Sequence, residues 1–238
     1  MKEEKTHENI AGMFDRIAGR YDFLNRFLSL GTDRRWRRRA ISEIGSLTKP
    51  STILDVSTGT ADLAIASLRL HPSKVTGIDI SEKMLERAAG KIRELKLEDR
   101  IELCLAPSER MPFPDSGFDV VMSAFGVRNF ADTASGLSEM YRVLAVNGVA
   151  MILEFSQPRR TPFRQMYAFY FNFVVPRAGS LFSGDRGAYR YLPDSVNSFP
   201  EGNKFLGLME KAGFRSLRLK RLTFGIATIY TGRKFTEQ

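Results

Sequence analysis

Between residues 52 and 155 the chain alternates short apolar runs with longer amphipathic ones. The apolar runs at 52–56, 75–80, 101–105, 118–123 and 149–155 read as five strands. Between them, 63–70, 81–95 and 133–144 repeat apolar positions at helical spacing, and Ser81 with Glu82 makes a helix start. Strands alternating with helices predict a parallel sheet covered on both faces, a doubly wound α/β fold. The first 45 residues read as helical, with Ile10, Met13, Phe14, Ile17 and Tyr21 at helical spacing. After residue 155 the rhythm breaks. Phe163, Tyr167, Phe169, Tyr170, Phe171 and Phe173 crowd one short stretch, and 179–200 is rich in Gly, Ser, Asp and Tyr, as in an ordered loop or lid. A helix at 204–211, closed by Gly213, then precedes a strand pair at 217–222 and 226–231. The expectation is one domain over 1–238: a mostly parallel seven-stranded sheet, a helical cap over 1–45, and an aromatic-helix-and-lid insertion over 160–202.

Composition narrows the setting. With 238 residues, 43% of them apolar, the chain can bury a core. No stretch approaches the roughly 18 consecutive apolar residues of a membrane span. Met1-Lys2-Glu3-Glu4-Lys5 lacks the apolar core of a secretory signal. A single cysteine, Cys104, inside an apolar run excludes a disulfide framework and a cysteine-rich metal site. A cytoplasmic setting and no metal are expected. His7, in the polar leader, and His71, at a helix end before Pro72, read as surface residues.

The net charge of +9 is concentrated early: Arg34, Arg35, Arg37, Arg38 and Arg39 surround Trp36, the only tryptophan. Six consecutive helical residues cover more than a turn, so these arginines cannot share one face. Three readings stay open. The helix is simply solvated, or it is drawn to anionic lipid headgroups at about 1 kcal/mol per basic residue, or it meets nucleic acid. No helix-turn-helix, zinc finger or RNA-binding sheet motif supports the last.

The chemistry begins at Leu54-Asp55-Val56-Ser57-Thr58-Gly59-Thr60-Ala61, where an apolar run ends in an acid, a small-residue turn and a helical pattern. The next apolar run also meets an acid, Asp79, 24 residues further on. Open parallel sheets bind ligands at the carboxyl ends of their strands, and an acid there accepts hydrogen bonds from ribose hydroxyls while repelling a 2′-phosphate. G-x-G-x-x-G is absent, with Gly59 the only glycine of the turn, and so is Gly-Lys-Ser/Thr. The pattern suits a nucleoside without phosphate, which points to S-adenosylmethionine rather than NAD or ATP.

Four segments then carry a resemblance. They are Tyr21-Asp22-Phe23-Leu24-Asn25 with Ser29-Leu30-Gly31, Arg34 and Trp36; the Asp55 turn; Phe125-Gly126-Val127-Arg128-Asn129 with Met140-Tyr141-Arg142-Val143-Leu144 and Leu153-Glu154-Phe155-Ser156; and Gly184-Asp185-Arg186 with Tyr189-Arg190-Tyr191-Leu192, Ser195 and Phe199-Pro200. Through them the chain resembles the class I S-adenosylmethionine-dependent methyltransferases, and specifically the ubiquinone/menaquinone biosynthesis C-methyltransferases. The resemblance implies that Asp55, Gly59 and Thr60 form the cofactor turn, that Asp79 holds the ribose, and that Pro107 and Ser108 flank the adenine. The sequence departs from the family pattern in three places. Ser57, Thr58 and Ala61 replace smaller residues or glycine; Pro107 brings neither a side-chain donor nor an amide hydrogen, leaving adenine recognition to Ser108 or the backbone; and Asp33 stands where a histidine is common.

The resemblance further implies methyl transfer to a ring carbon of a reduced quinone bearing an isoprenoid tail, demethylmenaquinol first and a benzoquinol of ubiquinone synthesis second. A phenolic hydroxyl titrates near 10, so the protein must help to remove or stabilise charge. Arg128 and Asn129 follow the fourth strand. Arg128 is expected to stabilise a phenolate and Asn129 to orient the ring or a water, the alternative being that Arg128 pairs with an acid such as Asp132. Tyr21, Asp22 and Asp33 are alternative bases. The aromatic run either packs as core or lines an isoprenoid slot and rests on an anionic bilayer with the basic helix. A nucleic-acid methyltransferase and a non-catalytic cofactor-binding protein are the rival classes. For the former, Cys104 sits inside a strand and Met111-Pro112-Phe113-Pro114 does not match a polar-proline-proline-aromatic motif.

Overall fold

A computed structural model of the chain describes residues 6–22, 26, 29, 31–159, 161–170 and 194–236. In chain order the helices are α1 (His7–Ile17), α2 (Asp33–Leu47), α3 (Asp62–Ser67), α4 (Glu82–Glu94), α5 (Thr133–Val143), α6 (Phe163–Phe169) and α7 (Asn203–Lys211). The strands are β1 (Thr52–Val56), β2 (Lys74–Asp79), β3 (Ile101–Leu105), β4 (Phe118–Ala124), β5 (Leu144–Phe155), β6 (Arg215–Leu222) and β7 (Ala227–Arg233). They form one seven-stranded sheet in the order β3-β2-β1-β4-β5-β7-β6. The first five strands run parallel, while β7 lies antiparallel to both β5 and β6. Because the chain goes outward from β1 in both directions, the order reverses between β1 and β4, and a crevice opens at their carboxyl ends.

Burial follows the alternation along the strands. Ile53, Val75, Val120, Met151 and Ile229 face one apolar cluster, with Trp36, Ala40, Ile41 and Ile44 of α2 packed over them. Leu54, Ile78, Val121, Ile152 and Tyr230 face the other, under α5 and α7. The sheet is thus covered on both faces, as its continuous apolar strands require. β5 starts earlier than the apolar run suggests. Leu144 pairs with Phe118, and the register shifts before Val149 meets Val120. Val146 and Asn147 are exposed in that bulged stretch, which hides the strand from a burial pattern.

α2 divides its arginines. Arg34, Arg35, Arg38 and Arg39 are exposed. Arg37 is buried with Trp36 on the opposite side, held by Asp33 at 2.6 Å and Asp62 of α3 at 3.3 Å. Among the first 45 residues, then, α2 packs on the sheet, and α1 reaches the carboxyl ends of the strands. Phe23, Leu24, Asn25, Leu30, Phe171, Phe173, Gly184-Asp185-Arg186 and Tyr189-Arg190-Tyr191-Leu192 lie outside the described residues. No described helix is long and apolar enough to cross a membrane.

Candidate active site

The turn after β1 is held in an unusual conformation. Ser57, Gly59 and Ala61 all have positive φ, at 57°, 57° and 65°. Only glycine adopts this region freely, and an L-residue there costs about 1–2 kcal/mol, so Ser57 and Ala61 are strained. Room for their neighbours comes from glycines opposite. A Cβ on Gly126 would stand 2.6 Å from the Ser57 Cβ, and one on Gly77 would stand 2.9 Å from Thr58 Oγ1. Hydrogen bonds fix the turn: Thr58 N donates to Ile78 O at 2.8 Å, Thr58 Oγ1 to Asp55 Oδ2 at 2.7 Å and Gly59 N to Asp79 Oδ2 at 2.8 Å. The residues that depart from glycine here are therefore compensated locally.

Both acids are buried. Burial pushes the Asp55 carboxyl up to about 7, against the opposing Thr58 hydrogen bond and Arg37 charge, and its Oδ1 has no hydrogen-bond partner among the described residues. Burial also raises Asp79, opposed by the amides of Ser81, Gly59 and Ile80.

A cavity opens beside this turn. Ser57, Gly59, Asp79, Ser108, Phe125, Gly126 and Asn129 line it from the strand ends, and His7, Ile10, Phe14 and Tyr21 line it from the N-terminal segment. Four of the expected site residues, Gly59, Asp79, Ser108 and Asn129, thus share one wall. Asp55, Thr60, Pro107 and Arg128 are not among the lining residues. Asp55 stands behind the turn. Thr60 is buried, its Oγ1 donating to Asp22 Oδ1 at 2.6 Å and accepting from Lys91 Nζ at 3.1 Å.

Arg128 has a partner other than Asp132. Its Nη1 donates to Glu154 Oε1 at 2.9 Å and its backbone N to Glu154 Oε2 at 3.2 Å. Nη1 also donates to the Phe125 carbonyl, and the guanidinium lies over the Phe155 ring, 5.4 Å from its centroid. Asp132 instead caps α5, with Oδ1 accepting from Ala134 N at 2.9 Å. Asn129 Nδ2 donates to the same Phe125 carbonyl at 3.3 Å. The buried Asn129 Oδ1 has no partner among the described residues; such an atom costs about 1–3 kcal/mol until a donor reaches it. The charge of Arg128 also acts on Tyr167 of α6, whose hydroxyl is raised well above its ordinary value chiefly by burial.

The N-terminal wall differs from its sequence reading. His7 is exposed in part but lines the cavity, its Nε2 3.0 Å from Glu109 Oε2. Glu109 also accepts from Ser108 Oγ at 2.9 Å and Asp132 N at 3.2 Å. Of the alternative bases, Tyr21 lines the cavity, against Gly59. Asp22 pairs with Lys91 at 2.8 Å. Asp33 is removed from the cavity, accepting from Ser29 Oγ at 2.8 Å and Arg37 at 2.6 Å. Sequence reasoning missed His7, Glu109 and Glu154. Glu154 was detectable, as an acid ending an apolar run in the manner of Asp55 and Asp79.

The wall fits S-adenosylmethionine. Asp79 offers a buried carboxylate, Gly59 an approach free of Cβ, and Asn129 an acceptor awaiting a donor. Among the described residues no cluster of metal-ligating side chains occurs. Residues 1–234 match the ubiE/COQ5 methyltransferase family. The chain is 50% identical over 229 residues to the ubiquinone/menaquinone biosynthesis C-methyltransferase UbiE of Geobacter sulfurreducens, covering 95% of this chain and 89% of that protein. It is 43% identical over 231 residues to the demethylmenaquinone methyltransferase of Bacteroides fragilis, covering 97% and 94%. Among solved structures it is similar to the [4+2]-cyclase SpnF, with a TM-score of 0.71 at 16% identity over 98% of this chain and 97% of that one. It also resembles a SAM-dependent methyltransferase from Aquifex aeolicus, with a TM-score of 0.58 at 20% identity over 82% and 88%. The two structural likenesses establish the fold, and the fold alone hosts more than one chemistry. The sequence match, which runs almost end to end, establishes more: this chain belongs to the ubiE/COQ5 methyltransferase family.

Proposed function

We propose that the protein methylates a ring carbon of demethylmenaquinol, with S-adenosylmethionine as donor, to give menaquinol. The observation that carries this reading is the near-complete match to relatives named for that step. The equivalent step on a benzoquinol is the second reading, favoured by relatives whose name covers both quinones. When bound, S-adenosylmethionine supplies an electrophilic methyl group. Asp79 and the Gly59 turn hold the ribose, and Ser108 flanks the adenine. Asp55 and Thr60 act from behind by fixing the turn, while Pro107 shapes the adenine side. Arg128 does not line the cavity, so its charge stabilises a negative quinol oxygen through the field of the wall and not by contact as the ring carbon becomes nucleophilic. Asn129 orients the ring or a water through the amide that lines the cavity. Tyr21 is the cavity-lining candidate for the base.

The same reading includes contact with an anionic membrane, where a prenylated quinol resides. Arg34, Arg35, Arg38 and Arg39 are exposed on α2. Phe163 stacks on Phe224 at 3.9 Å, and Met166, Phe169 and Phe224 are exposed. α2 is linked to this aromatic cluster through the 2.7 Å hydrogen bond from Trp36 Nε1 to Thr223 Oγ1. Exposed basic groups suit anionic headgroups, and exposed apolar ones suit acyl chains. The test of function is incubation with labelled S-adenosylmethionine and a reduced short-chain demethylmenaquinone, read by mass, with a benzoquinol in parallel. Methylation of neither would defeat the proposal. Co-sedimentation with anionic but not neutral vesicles at low salt tests the membrane contact.

A further inference from the structure

α1 is joined to the strand-end loops by side chains that have no part in the proposed reaction. It begins at His7, and its cap is Thr6, whose Oγ1 accepts from Asn9 N at 3.3 Å. His7, Ile10 and Phe14 follow one another at i, i+3 and i+7, so they share a helix face. All three line the cavity. At one end of this face His7 meets Glu109. At the other, Asp15 Oδ1 accepts from Ser81 Oγ at 2.6 Å and Lys83 N at 3.3 Å, at the start of α4. Glu109 does not depend on His7 for its position, because Ser108 Oγ and Asp132 N hold it from the loops after β3 and β4. It is a preset socket on the fixed side, and His7 is the movable plug.

We infer that His7 and Glu109 form a latch that closes α1 over the adenine end of bound S-adenosylmethionine, placing Ile10 and Phe14 against the ligand. The inference rests on the S-adenosylmethionine reading of the cavity. His7 is a positioning residue here: it acts through the helix it anchors. Pro107 leaves the adenine side short of side-chain donors, and a latched apolar helix supplies by enclosure what that position does not supply by hydrogen bonding.

The test uses the full-length protein and S-adenosylhomocysteine as probe, read by calorimetry and stopped-flow release. His7→Ala is expected to weaken binding about twofold to fivefold, the range for one exposed pair, and to do so through faster release. His7→Gln, which keeps a side-chain N–H donor facing Glu109, is expected to bind nearly as tightly as the unaltered protein. Hydrogen exchange gives a readout without ligand: His7→Ala speeds exchange in residues 8–17 and leaves β1 and β4 unchanged. Two results would overturn the latch: unchanged affinity and release rate for His7→Ala, or equal exchange in α1 with and without His7. Failure of the unaltered protein to bind the probe would count against the S-adenosylmethionine reading, and the ligand-free exchange comparison would still decide the latch.

Discussion

The two walls of the cavity are built on different principles. At the strand ends, the Phe125–Asn129 segment is fixed by Glu154, whose side chain is 0% exposed, against Arg128 at 8%. At the N-terminal wall the ties lie nearer to water: His7 and Glu109 are 46% and 10% exposed, and Lys91 and Asp22 are 24% and 33%. Removing one partner of a buried pair costs about 3–5 kcal/mol, because a charge is left without solvent or partner. An exposed pair is worth about 0.2–1 kcal/mol. The strand-end wall is therefore preformed, and the N-terminal wall is held by contacts weak enough to open and re-form within the stability of the native state. A site that must hold a donor rigidly and still admit it divides the two tasks between its walls.

The sharpest way to break this contrast is Glu154→Leu. It should lower stability by about 3–5 kcal/mol in urea unfolding, and adding Arg128→Met should recover most of the loss, since it removes the stranded charge. A cost under about 1 kcal/mol for the single change would mean that the wall is not preformed by this pair. Next in size is catalysis. Arg128→Met made together with Glu154→Leu, so that no buried charge is stranded, and Asn129→Ala should each reduce turnover about a hundredfold, as for other groups that stabilise developing charge, and leave S-adenosylhomocysteine affinity nearly unchanged. Unaltered turnover in both would remove their proposed roles.

Asp55 supplies a pH test of the same wall. Burial pushes its folded carboxyl up to about 7 from its ordinary 3.8, so between those values the folded chain holds a proton that the unfolded chain has lost. The contribution of Asp55 to stability then falls as pH rises through that window, with a slope approaching about 1.4 kcal/mol per pH unit. Asp55→Asn should flatten the dependence, and parallel pH profiles for the two proteins would contradict the burial argument. The smallest effect is expected opposite. Lys91→Met removes the ties to Asp22 and Asp62 and should cost under about 1 kcal/mol in unfolding. Its main consequence should be faster hydrogen exchange in residues 7–22. Equal exchange in the two proteins would show that this wall is held by its apolar contacts alone.

Much of the fold was legible because its signals are local. The period of apolar positions marked every strand; β6 began and β7 ended two residues beyond the reading, and the largest miss was the start of β5, where exposed Val146 and Asn147 interrupt the pattern. Asp55 and Asp79 were recognisable as strand-ending acids, and both belong to the machinery of the turn. Their division of labour was not legible: Asp79 lines the cavity, whereas Asp55 is behind the turn. Ser57 and Ala61 stand where the family pattern has smaller residues or glycine. They adopt the glycine-like conformation, with Gly77 and Gly126 opposite making room.

By itself, the sequence determined the α/β class, the doubly wound sheet, the strand-end position of the site and the family. Each of these depends on the spacing of neighbouring residues or on a contiguous motif. Only the tertiary structure decided which charges meet. Arg128 pairs with Glu154, 26 positions away, and not with nearby Asp132; His7 reaches Glu109 across 102 positions; Asp33 turns to Arg37 instead of the cavity. A charged side chain selects its partner by distance and burial after the elements have packed, and neither quantity is encoded in the local pattern that packs them.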